Sequence, residues 1–158
     1  MQEYKIILVG ENGVGKTSTI NRLLTGSFNT NIKTDQKINV YTSYFNETKI
    51  NIWDIDGNTY GKDMYYIGSN AAIIMFDVTN PKSLISVKQY IKDINNICEN
   101  IPIIILGNKK DSFTQKVEYS NIKQYIKKYP YVDFCAKWDT DTEIKKPFER
   151  LVSYVNCN

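Results

Sequence analysis

Histidine is absent from the 158 residues. With it go imidazole general bases, His-ligated zinc sites and Ser–His nucleophile pairs. Arginine is nearly absent, limited to Arg22 and Arg150. Cysteine is scarce as well. Cys98, Cys135 and Cys157 are an odd number at wide spacing. They give no C-x-x-C pair and no disulfide framework, which points to a reduced, intracellular setting, cytoplasm or nucleus. Neither sign of charge dominates: 20 basic against 17 acidic side chains leave +3. A nucleic-acid-binding domain shows instead a basic stripe and a pI above ~9. No apolar run approaches the ~20 residues of a membrane span. The start, Met1-Gln2-Glu3-Tyr4-Lys5, runs straight into an apolar strand and is no signal peptide, and Gln2 stands where myristoylation needs glycine. Asn156-Cys157-Asn158 is no C-a-a-X box, so no membrane anchor is expected. Repeats and Pro/Gly/Ser linkers are also missing. Residues 1–158 therefore read as one domain, large enough to bury a core without a structural metal.

Short apolar runs alternate with helix-period stretches. Strands are expected over Tyr4 to Val9, Lys37 to Phe45, Thr48 to Asp54, Ala71 to Val78, Ile101 to Gly107 and Tyr131 to Cys135. Helices are expected over Thr17 to Thr25, from Pro81 through the spaced apolar residues Leu84, Val87, Ile91, Ile94 and Cys98, over Tyr119 to Tyr129, and along Ile144, Phe148, Leu151, Val152 and Val155. Solid apolar strands alternating with amphipathic helices give an α/β fold, a mostly parallel six-stranded sheet with helices on both faces. Ligands of such sheets sit at the carboxyl ends of the strands.

Motifs stand at those ends. The first strand runs into Gly10-Glu11-Asn12-Gly13-Val14-Gly15-Lys16-Thr17, followed by Ser18, which is G-x-x-x-x-G-K-[ST] between a strand and a helix. Its glycines let successive N–H groups converge as an anion nest at a helix N-terminus. Lys16 reaches the β- and γ-phosphates, and the Thr17 hydroxyl ligates Mg2+. Asp54-Ile55-Asp56-Gly57 is a D-x-x-G. Asp54 would hold the metal, and the Gly57 N–H would sense a γ-phosphate. Asn108-Lys109-Lys110-Asp111 is an N-K-x-D. The Asp111 carboxylate suits the paired N1 and N2 donors of guanine, which adenine lacks. In Cys135-Ala136-Lys137 the Ala136 N–H would meet guanine O6 and Lys137 would cover the ring. Phe28 suits an edge-on contact with the base, or a place in the core.

With these motifs in order, the chain resembles the Ras superfamily of small GTPases over its whole length. It is most similar to the Ran-like branch, which serves nuclear transport. The stretches that carry this finer likeness are Tyr65-Tyr66-Ile67, Ala72 to Thr79, Cys98 to Ile103 and Lys146-Pro147-Phe148. The resemblance implies a P-loop GTPase fold, a monomer binding GTP or GDP with Mg2+, and partners of the importin-β receptor, exchange-factor and GTPase-activating kinds. Nucleic acid is not among them.

The departures fall on the segments that respond to nucleotide. The resemblance implies a water-orienting glutamine after the D-x-x-G. Asn58 stands there on a stem one methylene shorter, followed by Thr59. A misplacement of ~1 Å can cost ~100-fold in rate. Both switch segments are shorter than in the family. Counting back from Asp54 without gaps puts Asn31 at the family's metal-ligating threonine. Thr30 and Thr34 flank it, and Thr30 is taken as the ligand. Slow intrinsic hydrolysis follows, with Lys16 and Asn58 as the catalytic residues. Two other readings are a guanine-nucleotide-binding module without turnover and an ATP-dependent phosphotransferase. The N-K-x-D and the arginine shortage argue against the phosphotransferase.

Overall fold

A computed structural model describes residues 1–29, 32, 36–115 and 117–157. Thr30, Asn31 and Thr34, the candidates for the first-switch metal ligand, lie outside the described residues.

Among the described residues eleven elements follow one another: β1 (Gln2–Val9), α1 (Lys16–Thr25), β2 (Ile38–Phe45), β3 (Thr48–Ile55), a 3-10 turn (Lys62–Tyr65), β4 (Ala71–Asp77), α2 (Pro81–Ile97), β5 (Ile103–Asn108), α3 (Tyr119–Ile126), β6 (Tyr131–Asp133) and α4 (Asp141–Asn156). The sheet order is β2-β3-β1-β4-β5-β6. Only β2–β3 is antiparallel, and the rest pair in parallel. This is the expected α/β architecture.

Side chains alternate across each strand, so the sheet feeds two cores. In β1, Ile6 and Leu8 enter one core, and Ile7 and Val9 the other. β4 divides likewise: Ala71, Ile73 and Met75 against Ala72, Ile74 and Phe76. The first core is closed by Ile20 and Leu23 of α1 with Phe148 and Leu151 of α4. The second is closed by Leu84, Val87 and Ile94 of α2 with Ile122 of α3. Both faces being covered, β4 is buried along its whole length. Among the described residues, no helix is long and apolar enough to cross a membrane.

Several bounds differ from those expected. β1 begins earlier because Gln2 and Glu3 register with Thr48 and Lys49, and Glu3 takes an ion pair from Lys49 at 3.0 Å. β5 begins after Pro102, which has no N–H to give a ladder. α3 stops at Ile126, short of Tyr129. β6 stops at Asp133 instead of Cys135. The Cys135 N–H turns out of the ladder to the Asp139 carboxylate at 2.8 Å.

The chain reverses its direction of travel across the sheet beside β1. From there it winds through α1 to β2 and β3 on one side, and from β4 onward it builds the other. A crevice at that switch point lies at the carboxyl ends of β1 and β4.

Candidate functional site

The loop between β1 and α1 curls at this crevice. Gly15 has φ +104, and a Cβ there would lie 2.3 Å from Asn108 Nδ2. Glycine is therefore required both for the turn and for the approach of β5. Lys16 folds back over the loop and donates to the carbonyls of Gly10 and Glu11, at 2.9 Å each. Its ammonium is nearly buried, and burial pushes its pKa down against the pull of Asp54, Asp56 and Glu11. Thr17 donates its hydroxyl to Asp54 Oδ2 at 2.5 Å. Burial pushes the Asp54 carboxyl up, opposed by the Thr17 bond and by Lys16.

Lys16, Thr17 and Asp54 line a cleft of about 310 Å3 together with Asn12 and Asp56. A second cleft of about 730 Å3 shares Gly13, Gly15 and Ser18 with the first, so the two run into each other. Phe28, Lys109, Asp111, Cys135, Ala136 and Lys137 all line it. Most of the sequence-derived residues thus gather along one trough, with the P-loop at one end and Asp111 at the other, while Gly10, Glu11, Val14, Gly57 and Asn58 line neither cleft.

Two loops are bolted together under the trough. Asn108 is buried, and its Nδ2 donates to the Val14 carbonyl at 2.9 Å while its Oδ1 accepts the Ala136 N–H at 3.1 Å. Ala136, expected to offer that N–H to a base, spends it on Asn108, the acceptor directly beneath it. Lys109 donates to the Gly13 carbonyl at 2.9 Å and to Asp77 Oδ2 at 2.7 Å. Its φ of +68 is left-handed, a strained state for lysine, and the turn brings its side chain back to the P-loop. Burial pushes Asp77 up, but the bonds from Lys109 and Thr79 outweigh this and hold its carboxyl below the usual range.

Asp111 is exposed, and its Oδ1 accepts the Cys135 thiol at 3.0 Å. Burial and this bond push the thiol pKa up, so it stays a neutral donor at pH 7. Cys135 itself is buried. Its part is to orient the carboxylate that faces the cleft. Lys137 Nζ lies over the Trp138 ring, 4.9 Å from its centroid.

The Gly57 N–H donates to Asn12 Oδ1 at 3.1 Å. Asn58 is exposed, and its backbone N–H closes a turn on Asp56 Oδ1 at 2.8 Å. Both arginines are engaged away from the trough. Arg22 pairs with Asp141 and donates to the Asp139 carbonyl, and Arg150 donates to the Tyr154 hydroxyl at 2.7 Å.

Sequence reasoning missed several residues. Gln36, Lys37 and Asn39 line the smaller cleft, and Phe113 and Trp138 the larger one. Asp139 anchors the Cys135 N–H and pairs with Lys110 at 2.7 Å. Its sequence signal, a polar run before a helix, indicates only a helix start.

The arrangement fits a polyphosphate and a hard divalent cation: a glycine-bearing loop at the start of α1 and a buried ammonium beside a hydroxyl–carboxylate pair. The wider cleft, with aromatic flanks and a terminal carboxylate, suits a base bearing paired donors. A family model described as the Ras family matches residues 5–157.

Proposed function

Since the chain belongs to the Ras family and is thereby a GTP-binding small GTPase, we propose that it works as a guanine-nucleotide switch of Ran-like type with slow intrinsic turnover. The observation that carries this reading is the continuous trough from Lys16 to Asp111. Thr17 and Asp54 would hold Mg2+, which when bound neutralises phosphate charge. The protein's own part is to cradle the phosphates with the P-loop amides and Lys16, and to read the base with Asp111. Asn108 and Cys135 hold those groups in place.

Slow turnover rests on two observations. Asn58 carries its amide on a short stem and stands exposed. Both arginines are committed elsewhere, so fast hydrolysis needs an arginine from a partner, worth ~10³–10⁵ in rate. The Ran-like assignment rests on the stretches quoted above. Of these, Tyr66, Cys98 and Phe148 are buried, with the Cys98 thiol donating to the Tyr66 carbonyl at 3.1 Å. Such packing residues speak for ancestry. Importin-β-type receptors, an exchange factor and an activating protein follow as the partner classes, and cytoplasm and nucleus as the setting. The exposed Asn58 also favours a second reading, a nucleotide-bound interaction module without turnover.

Nucleotide released from the purified protein is expected to be guanine. Adenine nucleotide, or none after Mg2+ and excess GTP or GDP are supplied, would sink the proposal. Single-turnover hydrolysis of bound GTP then separates the two readings. A slow but measurable rate, accelerated by a Ran-type activating protein, supports the switch. No hydrolysis under either condition supports the module.

A further inference from the structure

An anion-cradling loop works through backbone N–H groups, and that chemistry asks nothing of the side chain at Asn12. Yet Asn12 is engaged. Its Oδ1 accepts the Gly57 N–H at 3.1 Å, across 45 residues of sequence. Gly57 is pressed onto the P-loop: a Cβ there would lie 2.9 Å from the Gly10 carbonyl oxygen and 3.1 Å from the Tyr90 hydroxyl. Gly57 thus packs directly on the P-loop backbone, with no space for a side chain. Asn12 also lines the smaller cleft beside Lys16, Thr17 and Asp54.

A carboxamide oxygen and a phosphate oxygen are both acceptors, and one N–H serves one of them well at a time. In the reading proposed above, the Gly57 N–H is the contact for a third phosphate. We infer that Asn12 competes with the third phosphate for the Gly57 N–H, and so biases this chain toward the diphosphate nucleotide. A diphosphate leaves the Asn12–Gly57 bond in place. A triphosphate either breaks it or forgoes the Gly57 contact. Asn12 is thus a specificity residue between the two forms of one ligand, and the inference rests on the guanine-nucleotide reading.

The test is the ratio of two affinities, measured with Mg2+ by displacing a fluorescent GDP from the full chain. The competitors are GDP and a non-hydrolysable GTP analogue. Asn12→Ala removes the acceptor and is expected to raise the triphosphate-to-diphosphate affinity ratio by about 2- to 10-fold, the worth of one hydrogen bond. The ratio is taken within each variant, so any effect that Asn12→Ala has on both nucleotides alike cancels from it. Asn12→Asp keeps the acceptor, adds a negative charge and is expected to lower the ratio. An unchanged or lowered ratio in Asn12→Ala overturns the inference. Should that variant fail to load, an unchanged or raised ratio in Asn12→Asp overturns it instead. GDP binding with an unmoved ratio removes Asn12's role and leaves the guanine reading standing. A native chain that binds neither nucleotide removes both.

Discussion

At the scale of single residues, the site depends on side chains whose work is to hold other groups in position. Cys135 is the clearest case, because its buried thiol gives Asp111 a donor on one oxygen and leaves the other for the cleft. Cys135→Ala is expected to weaken GDP binding by about 2- to 10-fold, since the carboxylate loses one hydrogen bond that orients it. Cys135→Ser keeps a donor and should bind within about twofold of the native chain. Competition titration of GDP measures both, and equal losses in the two variants would show that volume, not the donor, matters. Gly10 to Thr17 and Asn108 to Asp111 were legible because their chemistry lies in contiguous residues. The engagements of Asn12 and Asp139 were not, because their partners lie far away in sequence or read as an ordinary helix start. Gln36 escaped for a related reason. It belongs to no contiguous motif, and it reaches the cleft beside Asn39, which pairs with Asp54 and donates its Nδ2 to the Gln36 carbonyl at 3.3 Å.

Elements of this fold are bounded by their neighbours along the chain as much as by their own period. The strand pattern through Cys135 was sound up to Asp133, where Asp139 captures the next free N–H and ends β6. Asp139 immediately precedes Thr140, the N-cap of α4. The Thr140 hydroxyl accepts the Glu143 N–H at 3.3 Å, and the Glu143 carboxylate accepts the Thr140 N–H at 2.8 Å. This capping box secures the start of α4 just after the loop that carries Cys135 and Ala136. The two residues have separable effects. Thr140→Ala should cost about 1 kcal/mol and lower Tm by roughly 2–4 °C, with GDP affinity unchanged. Asp139→Ala should lower both Tm and GDP affinity, because it frees the Cys135 N–H and the Lys110 ammonium together. Thermal unfolding and GDP titration on the two variants check this, and a loss of affinity in Thr140→Ala would contradict it.

Over the whole molecule, fold class and sheet were the most legible features, because burial on both faces leaves a plain signature. Seven consecutive buried residues in β4 and the 3–4 spacing along α2 admit few other architectures. The same layering places the trough on the rim of the sheet, where a ligand would bridge loops from both sides of β1. Binding should therefore stabilise the domain as a unit. GDP with Mg2+ at about 100 times its Kd is expected to add ~2.7 kcal/mol and raise Tm by roughly 5–10 °C. Thermal unfolding with and without ligand measures it, and an unmoved Tm would mean that GDP does not bind the folded chain in preference to the unfolded one.

The bolts beneath the trough have one more consequence. Lys109 and Asn108 grip the carbonyls of Gly13 and Val14, two consecutive residues of the P-loop. The base end and the phosphate end therefore form one clasp, and strain applied to either jaw is felt at the other. Because such coupling is reciprocal, a partner that pried at a single jaw would loosen the grip on the entire nucleotide, and a nucleotide seating itself would tighten both jaws against the partner.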